Sequence, residues 1–136
     1  MTKRNKPSKP KNLYISTYFN FCSGYAESVT SLNKIFILSA KHGFLKYNDE
    51  QIIEPYEISF NNKTGYIPQK LLNIQAKHYN IKTAFVLGGV NYINRAKIAI
   101  KNVFCLQDIF KENNLGIAGI GKQNQFLKNN VGVKFW

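Results

Sequence analysis

Residues 83–106 read TAFVLGGVNYINRAKIAIKNVFCL, and this stretch decides the fold class. Two apolar runs, 83–87 and 103–106, have the length of strands. The segment between them, 90–100, has apolar residues at helical spacing. Gly88 and Gly89 separate the first run from the helical segment. A strand, a helix and a strand joined by short links predict a parallel pair of strands with a right-handed crossover.

The same logic extends toward the N-terminus. Apolar spacing predicts helices over 16–29, with Ser16 as N-cap, and over 68–79, and the run KIFILSA at 34–40 predicts a strand buried on both faces. Residues 41–66 read as a polar loop, and a Gly-rich turn at 116–121 precedes a last helix. The predicted fold class is therefore α/β, a small parallel-sheet three-layer sandwich with helices on both faces. The loops that follow the strands should meet at the carboxyl edge of the sheet.

Composition predicts one domain over 13–136, preceded by a flexible basic arm over 1–12, which is equally well explained as a tail without a role. Cys22 and Cys105 lie in apolar segments and predict buried, reduced thiols. The chain has no apolar run of membrane-spanning length and no signal peptide, so we expect a cytoplasmic protein without membrane contact. Neither cysteine has ligand spacing, so we expect no metal and no cofactor.

The charge of the chain points to a polyanionic partner. With 19 Lys and Arg against 7 Asp and Glu, the net charge is +12, which favours DNA, RNA or an anionic membrane. Nucleotide bias in a genome is the plain alternative. Four of the acidic residues fall close together, at Asp49, Glu50, Glu54 and Glu57. Because carboxylates repel phosphates, this cluster is either catalytic or a solvated loop.

Several spaced motifs between residues 13 and 127 carry a family resemblance. They are Leu13-Tyr14-x-Ser16, Tyr25-Ala26, the run 37–45 with SAKHGFL, Glu54-Pro55-Tyr56-Glu57, Leu87-Gly88-Gly89 with Tyr92, and Gly119-Ile-Gly121-Lys122-Gln123 with Leu127. The chain resembles a group of small, largely uncharacterised bacterial and phage domains with the signature SAKHGLL…PYD. More distantly it is similar to the YaaA peroxide-stress family, whose members are associated with DNA binding. It departs from the group in its polar N-terminal arm and in Glu57, where the group has Asp.

The motifs nominate the candidate site residues. We expect Glu57, Glu54 and His42 to be catalytic, with the carboxylates activating water or stabilising the oxocarbenium-like charge on a sugar. The expected substrate-binding residues are Ser39, Lys41, Gly43, Tyr56, Gly88, Gly89 and Tyr92, with Tyr56 stacking on a base or packing in the core. We expect Gly121, Lys122 and Gln123 to hold a phosphate at a helix N-terminus; Gln123 replaces the Ser/Thr that an ATPase loop requires.

These features predict a DNA-acting enzyme. The first hypothesis is a DNA glycosylase that flips a base, expected to be a modified one, and excises it from duplex or single-stranded DNA. The expected setting is antiphage defence or base excision. The alternative is a non-catalytic, YaaA-like DNA-binding protein. A nucleotide-processing enzyme that acts on a free small molecule is a third, weaker hypothesis.

Overall fold

The computed structural model describes residues 3–136; Met1 and Thr2 of the predicted arm lie outside the described residues. In this part of the chain the helices are α1 Pro10–Leu13, α2 Thr17–Val29, α3 Gln69–His78, α4 Val90–Ala99, α5 Leu106–Glu112 and α6 Ile120–Asn129. The strands are β1 Phe36–Ser39, β2 Gly43–Lys46, β3 Thr83–Val86 and β4 Asn102–Cys105, and a 3₁₀ turn spans Leu32–Lys34. The protein is thus mixed α/β, as predicted.

The chain divides into two compact units. Unit 1 contains the residues up to Ile37, Leu45–Glu57 and Gly119–Phe135; unit 2 contains Leu38–Phe44, Ile58–Ala118 and Trp136. The chain passes from unit 1 to unit 2 within β1 and returns within β2, which pairs with β1 in an antiparallel hairpin. The single domain over 13–136 stays a prediction.

In unit 1, α2 packs on α6. The N–H of Phe19 donates to Ser16 Oγ at 3.1 Å, which confirms Ser16 as the N-cap of α2. The Tyr25 ring is buried and stacks on Phe135, with the ring centroids 6.3 Å apart. Aromatic packing therefore joins α2 to the C-terminal segment of this unit.

The N-terminal segment of unit 1 is attached by backbone hydrogen bonds. The N–H of Arg4 donates to Leu13 O at 2.8 Å, and Ser8 and Ile53 exchange two bonds of 3.1 and 2.8 Å. Pro10 and Leu13, both in α1, are fully buried. The flexibility expected for 1–12 stays a prediction, and these contacts argue against it for the described residues of that segment.

Unit 2 is built on the strand–helix–strand stretch. β3 and β4 pair in parallel, with Thr83 opposite Asn102 and Val86 opposite Cys105. α3 packs on α4, and α4 contacts β4. The parallel pair predicted from 83–106 is confirmed.

Four structural expectations need correction or stay open. The loop predicted over 41–66 contains β2, and a helix, α5, directly follows β4 where a loop was expected. The strands are not buried on both faces: Phe36 and Leu38 alternate with buried neighbours in β1, and Phe104 of β4 is 46% exposed. An apolar run is compatible with one covered face, because short two-stranded sheets leave the other face to solvent. The three-layer sandwich is not confirmed, since the described strands form two separate two-stranded sheets.

Candidate nucleic-acid interface

The residues SAKHG at 39–43 form the tight turn between β1 and β2, and the Ser39 side chain closes it. Ser39 is almost fully buried, and its Oγ accepts hydrogen bonds from the N–H groups of Lys41 at 3.2 Å and His42 at 3.0 Å. Short hydroxyl side chains commonly hold turns in this way. Ser39, expected to bind substrate, thus has a structural role in the turn of unit 2.

Gly43 is required at its position for two reasons. Its φ is +79°, a left-handed conformation that side chains other than glycine rarely adopt. A Cβ at this position would overlap Gln75 Oε1 and lie 2.7 Å from Gln75 Cδ. The Gln75 amide is itself fixed, because it donates to His42 O and accepts from the N–H of Phe44, both at 2.8 Å. Gly43, expected to bind substrate, therefore has a structural role: it permits the left-handed backbone and the close contact of the turn with α3.

The turn presents Lys41 and His42 differently. The Lys41 side chain is exposed, whereas His42 is half-buried. Burial lowers the pKa of His42, and the neighbouring charge of Lys41 lowers it further. The imidazole is therefore neutral at pH 7 and offers hydrogen bonds rather than charge, so Lys41 is the group of this turn that can pair with a phosphate.

The residues predicted at the end of β3 lie on the first turn of α4. Gly89 is the N-cap of α4 and is exposed, and Gly88 precedes it. The Tyr92 ring packs edge-on against Phe60, with centroids 4.9 Å apart, and its hydroxyl donates to Ser59 Oγ at 3.4 Å. Tyr92 is thus held by the 58–66 loop of unit 2, with its ring only partly covered.

Sequence reasoning missed Arg95, which lies one turn after Tyr92 on α4. Its guanidinium sits 4.5 Å from the centroid of the Tyr66 ring and 5.4 Å from that of Phe60. The same loop is tied to the SAKHG turn, because the N–H of Ile67 donates to Ala40 O at 2.7 Å. The spacing of three between Tyr92 and Arg95 was the available signal, since such residues share a helix face. An arginine stacked on tyrosine is pre-oriented for phosphate or base contacts.

In unit 1, Tyr56 belongs to an aromatic cluster. It is buried, its hydroxyl is hydrogen-bonded to that of Tyr14, and the two rings meet edge-on. Lys3 Nζ lies 4.4 Å from the centroid of the Tyr56 ring and 5.7 Å from that of Tyr14. Burial lowers the pKa of Lys3, and the carboxylate of Glu57 works against that effect. The geometry favours the core-packing interpretation of Tyr56, because a stacked base would have to displace Lys3.

The acidic cluster is solvated. Glu54 and Glu57 are exposed in unit 1, while Lys41 and His42 belong to unit 2, so a pocket shared by these groups stays a prediction. Glu50 forms an ion pair of 2.6 Å with Lys9, and this contact lowers the pKa of Glu50.

The predicted phosphate loop starts α6. Gly121 and Lys122 are exposed, and Gly119 is the N-cap without a side-chain cap. Gln123 points the other way: it is 4% exposed, and its Oε1 accepts a hydrogen bond of 2.8 Å from the Tyr18 hydroxyl of α2. Gln123 therefore joins α2 to α6, and only Gly121 and Lys122 remain available to an anion.

The thiols behave as expected from the sequence. Both cysteines are free; Cys105 is buried and Cys22 partly so. Burial raises the pKa of Cys22 to about 12, and it also raises that of Cys105. Among residues 3–136, no group of three or more His, Cys, Asp or Glu side chains could hold a metal ion. In the same range, no helix has the length and apolarity needed to cross a membrane.

Comparisons with known proteins place the chain in a family. Residues 1–129 match the profile of a family of unknown function (DUF6884). Searches of curated proteins and of solved structures found no match. The chain belongs to this family, which agrees with the resemblance to a small uncharacterised domain family.

Proposed function

We propose that this DUF6884 family member binds DNA, with unit 2 as its main phosphate-binding surface. The observation that supports this most is the uneven distribution of charge in unit 2. All residues of unit 2 belong to the described part of the chain, and its acidic residues are Asp108 and Glu112 alone. Its cationic residues are Lys41, Lys63, Lys70, Lys77, Lys82, Arg95, Lys97, Lys101 and Lys111.

Asp108 is held at the start of α5. Its carboxylate accepts from the N–H of Cys105 at 3.2 Å and forms the capping box of α5. The cations, in contrast, are exposed, apart from the half-buried Arg95. Such a field attracts polyanions and raises the rate of encounter with them.

Lys41 and the Tyr66–Arg95 stack are the contacts we assign within this surface. The hydrogen bonds of Ser39 and Gln75 fix the turn that carries Lys41, so little conformational entropy is lost when it binds. The exposed backbone of Gly89, next to the half-buried Gly88, permits close approach of a strand. His42 is outside the contacts assigned here, because its Nε2 is buried.

Fluorescence anisotropy with a labelled 20-base-pair duplex tests this assignment. Lys41→Gln should weaken binding and reduce the slope of log K against log salt by about 0.9, the value expected for one lost phosphate contact. Lys111→Gln, which removes the same charge from α5, is the matched control and should change the slope less. Equal effects of both substitutions would assign the attraction to net charge alone.

We propose further that the protein is an enzyme, a DNA N-glycosylase. The specific support for this activity is the position of Glu57, whose carboxylate lies within electrostatic reach of Lys3 beside the Tyr56 ring. In the proposed step, Glu57 accepts a proton from water, the water oxygen bonds to C1′, and the C1′–N bond breaks with its electron pair leaving on the base. Glu54 is the second candidate carboxylate. A modified base is the proposed substrate, and antiphage defence or base excision the proposed setting.

Base release separates the enzyme from the binding protein. The purified protein is incubated with ordinary and hypermodified phage DNA, and alkali-labile sites and released base are measured. Glu57→Gln should abolish turnover but retain binding, and Glu54→Gln tests the second candidate carboxylate. Glu27→Gln, at an exposed position of α2 in unit 1, is the matched control and should leave turnover unchanged. Tight binding without either product on any DNA would leave the non-catalytic, YaaA-like DNA-binding protein as the function.

The proposal also covers the location of the protein in the cell and the extent of its sheet. Free thiols with raised pKa values fit the reducing cytoplasm, where we place the protein. The layered parallel sheet, extended beyond β3 and β4, stays a structural prediction.

A further inference from the structure

An open groove on unit 1 has the composition of a phosphate site. It has a volume of about 500 Å³ and is lined by Lys3, Arg4, Asn5, Lys6 and Ile15. Small-molecule sites typically measure about 300–1,000 Å³. Three of the five lining side chains are cationic, and Arg4 and Lys6 are exposed.

The backbone that carries these cations is fixed at both ends. Lys3 and Tyr14 form an antiparallel bridge, and the N–H of Arg4 donates to Leu13 O. At the other end, Ser8 forms an antiparallel bridge with Ile53, and Ser8 Oγ donates to Lys6 O at 3.1 Å. Cations on an ordered segment lose less entropy on binding than cations on a flexible arm.

We propose that this groove binds a nucleotide unit of a DNA strand, with Arg4 and Lys6 on phosphate and Ile15 against the sugar or base. The assignment rests on the proposed DNA-binding function and adds a second backbone contact, on unit 1. Ile15 is 46% exposed and supplies an apolar wall, and the Asn5 amide can donate and accept. Arginine forms paired hydrogen bonds with phosphate oxygens, which lysine complements as a point charge.

Lys3 is a positioning residue at the inner end of the groove. Its ammonium lies over the Tyr56 and Tyr14 rings, near the carboxylate of Glu57. Because Glu57 repels a phosphate, the anion should occupy the Arg4–Lys6 side. Glu57→Gln should therefore strengthen binding in the groove, although the same change abolishes turnover in the proposed glycosylase.

The test uses the full-length protein and two probes, a labelled 12-nucleotide single strand and the 5′-phosphorylated thymidine dinucleotide. Arg4→Glu with Lys6→Glu reverses the two exposed groove cations and leaves Lys3 in place. Lys34→Glu with Lys128→Glu makes the same charge change at exposed positions elsewhere in unit 1. Two lost contacts should reduce the salt slope for the single strand by about 1.4, and the control pair should reduce it much less. Thermal unfolding checks that each variant is folded, which we expect because the Arg4 bond to Leu13 uses backbone atoms.

Each outcome decides one question. If the groove pair and the control pair reduce the slope equally, the groove is not a site, whereas DNA binding itself stands. If wild-type protein binds neither this strand nor the 20-base-pair duplex, the proposed function fails, and the dinucleotide then tests the groove alone. Amide shifts of Arg4, Asn5, Lys6 and Ile15 in an NMR titration with the dinucleotide would support the groove, and unchanged shifts would overturn it.

Discussion

Replacing Gly43 with alanine tests whether the SAKHG turn is held as described. The substitution places a Cβ at φ +79°, which costs about 1–2 kcal/mol for a residue with a side chain. The new methyl would also overlap the Gln75 amide, 2.7 Å from Cδ and 2.9 Å from Nε2. That amide makes two hydrogen bonds of 2.8 Å, to His42 and Phe44, and each contributes about 0.5–1.5 kcal/mol.

Together these terms predict that Gly43→Ala lowers the free energy of unfolding by about 2–5 kcal/mol. At roughly 4 °C per kcal/mol for a chain of this size, Tm should fall by about 8–20 °C. Gly24→Ala is the matched control: Gly24 lies in α2 with nothing within 4 Å of an added Cβ. It should stabilise the protein by about 0.5–1 kcal/mol, because alanine favours helix.

Urea unfolding of both variants, of Gln75→Ala, and of Gly43→Ala combined with Gln75→Ala supplies the assay. Without the Gln75 amide the overlap disappears, so Gly43→Ala should then cost only the backbone component, about 1–2 kcal/mol. The description of the turn would be refuted if Gly43→Ala were no more destabilising than Gly24→Ala. It would also be refuted if removing Gln75 left the cost of Gly43→Ala unchanged.

Three further predictions concern single groups. Burial lowers the pKa of His42 in the folded protein, so the unfolded chain binds this proton at a higher pH than the folded chain does. The contribution of neutral His42 to the free energy of unfolding should therefore be complete above about pH 6.5 and decrease as the pH falls below that value. His42→Asn should flatten that fall in urea unfolding between pH 7.5 and 5, and an unchanged profile would contradict it. Cys22 has a pKa of about 12, so at pH 8 it should react with thiol reagents about 10³-fold more slowly than free cysteine does. The measurement compares the reaction rate of Cys22 in the native protein with its rate in guanidine-unfolded protein, and equal rates would contradict the prediction. Tyr14→Phe and Tyr56→Phe should each lower the free energy of unfolding by about 1–2 kcal/mol. The double variant should lose less than the sum of the two, because one hydrogen bond joins the two hydroxyls, and strictly additive losses would contradict that bond.

Local patterns were sufficient to predict most helices and strands. α2, α3 and α4 begin and end within a residue or two of the predicted bounds, because apolar spacing and residues such as Ser16 and Pro68 define helix ends locally. β3 and β4 follow from two apolar runs with a helix between them. These elements depend on neighbouring residues in the chain, which a sequence displays directly.

The elements that were missed are short or depend on a side-chain cap. β2 has four residues within a polar stretch, and its pairing with β1 sets its conformation rather than any period of its own. α5 has seven residues, and its start was marked by Asp108, three residues after the N-cap Cys105. That acidic residue was a usable signal for a helix start.

The sequence identified candidate site residues, but it did not predict which other residues they contact. The sequence named Gly43, Tyr56 and Tyr92, yet their partners come from distant positions such as Gln75 and Lys3. Long-range packing of this kind leaves no periodic trace in a single sequence. Gln123 shows the same limit, because its helical position alone could not tell a phosphate contact from its hydrogen bond to α2.

The salt dependence of DNA binding by the wild-type protein tests the central claim most directly. Affinity for a 20-base-pair duplex is measured by anisotropy between 50 and 200 mM NaCl. If the exposed cations of unit 2 contact several phosphates, log K should fall linearly with log salt, with a slope of about −3 or steeper. Undetectable binding at 50 mM, or an affinity that does not change with salt, would contradict the claim.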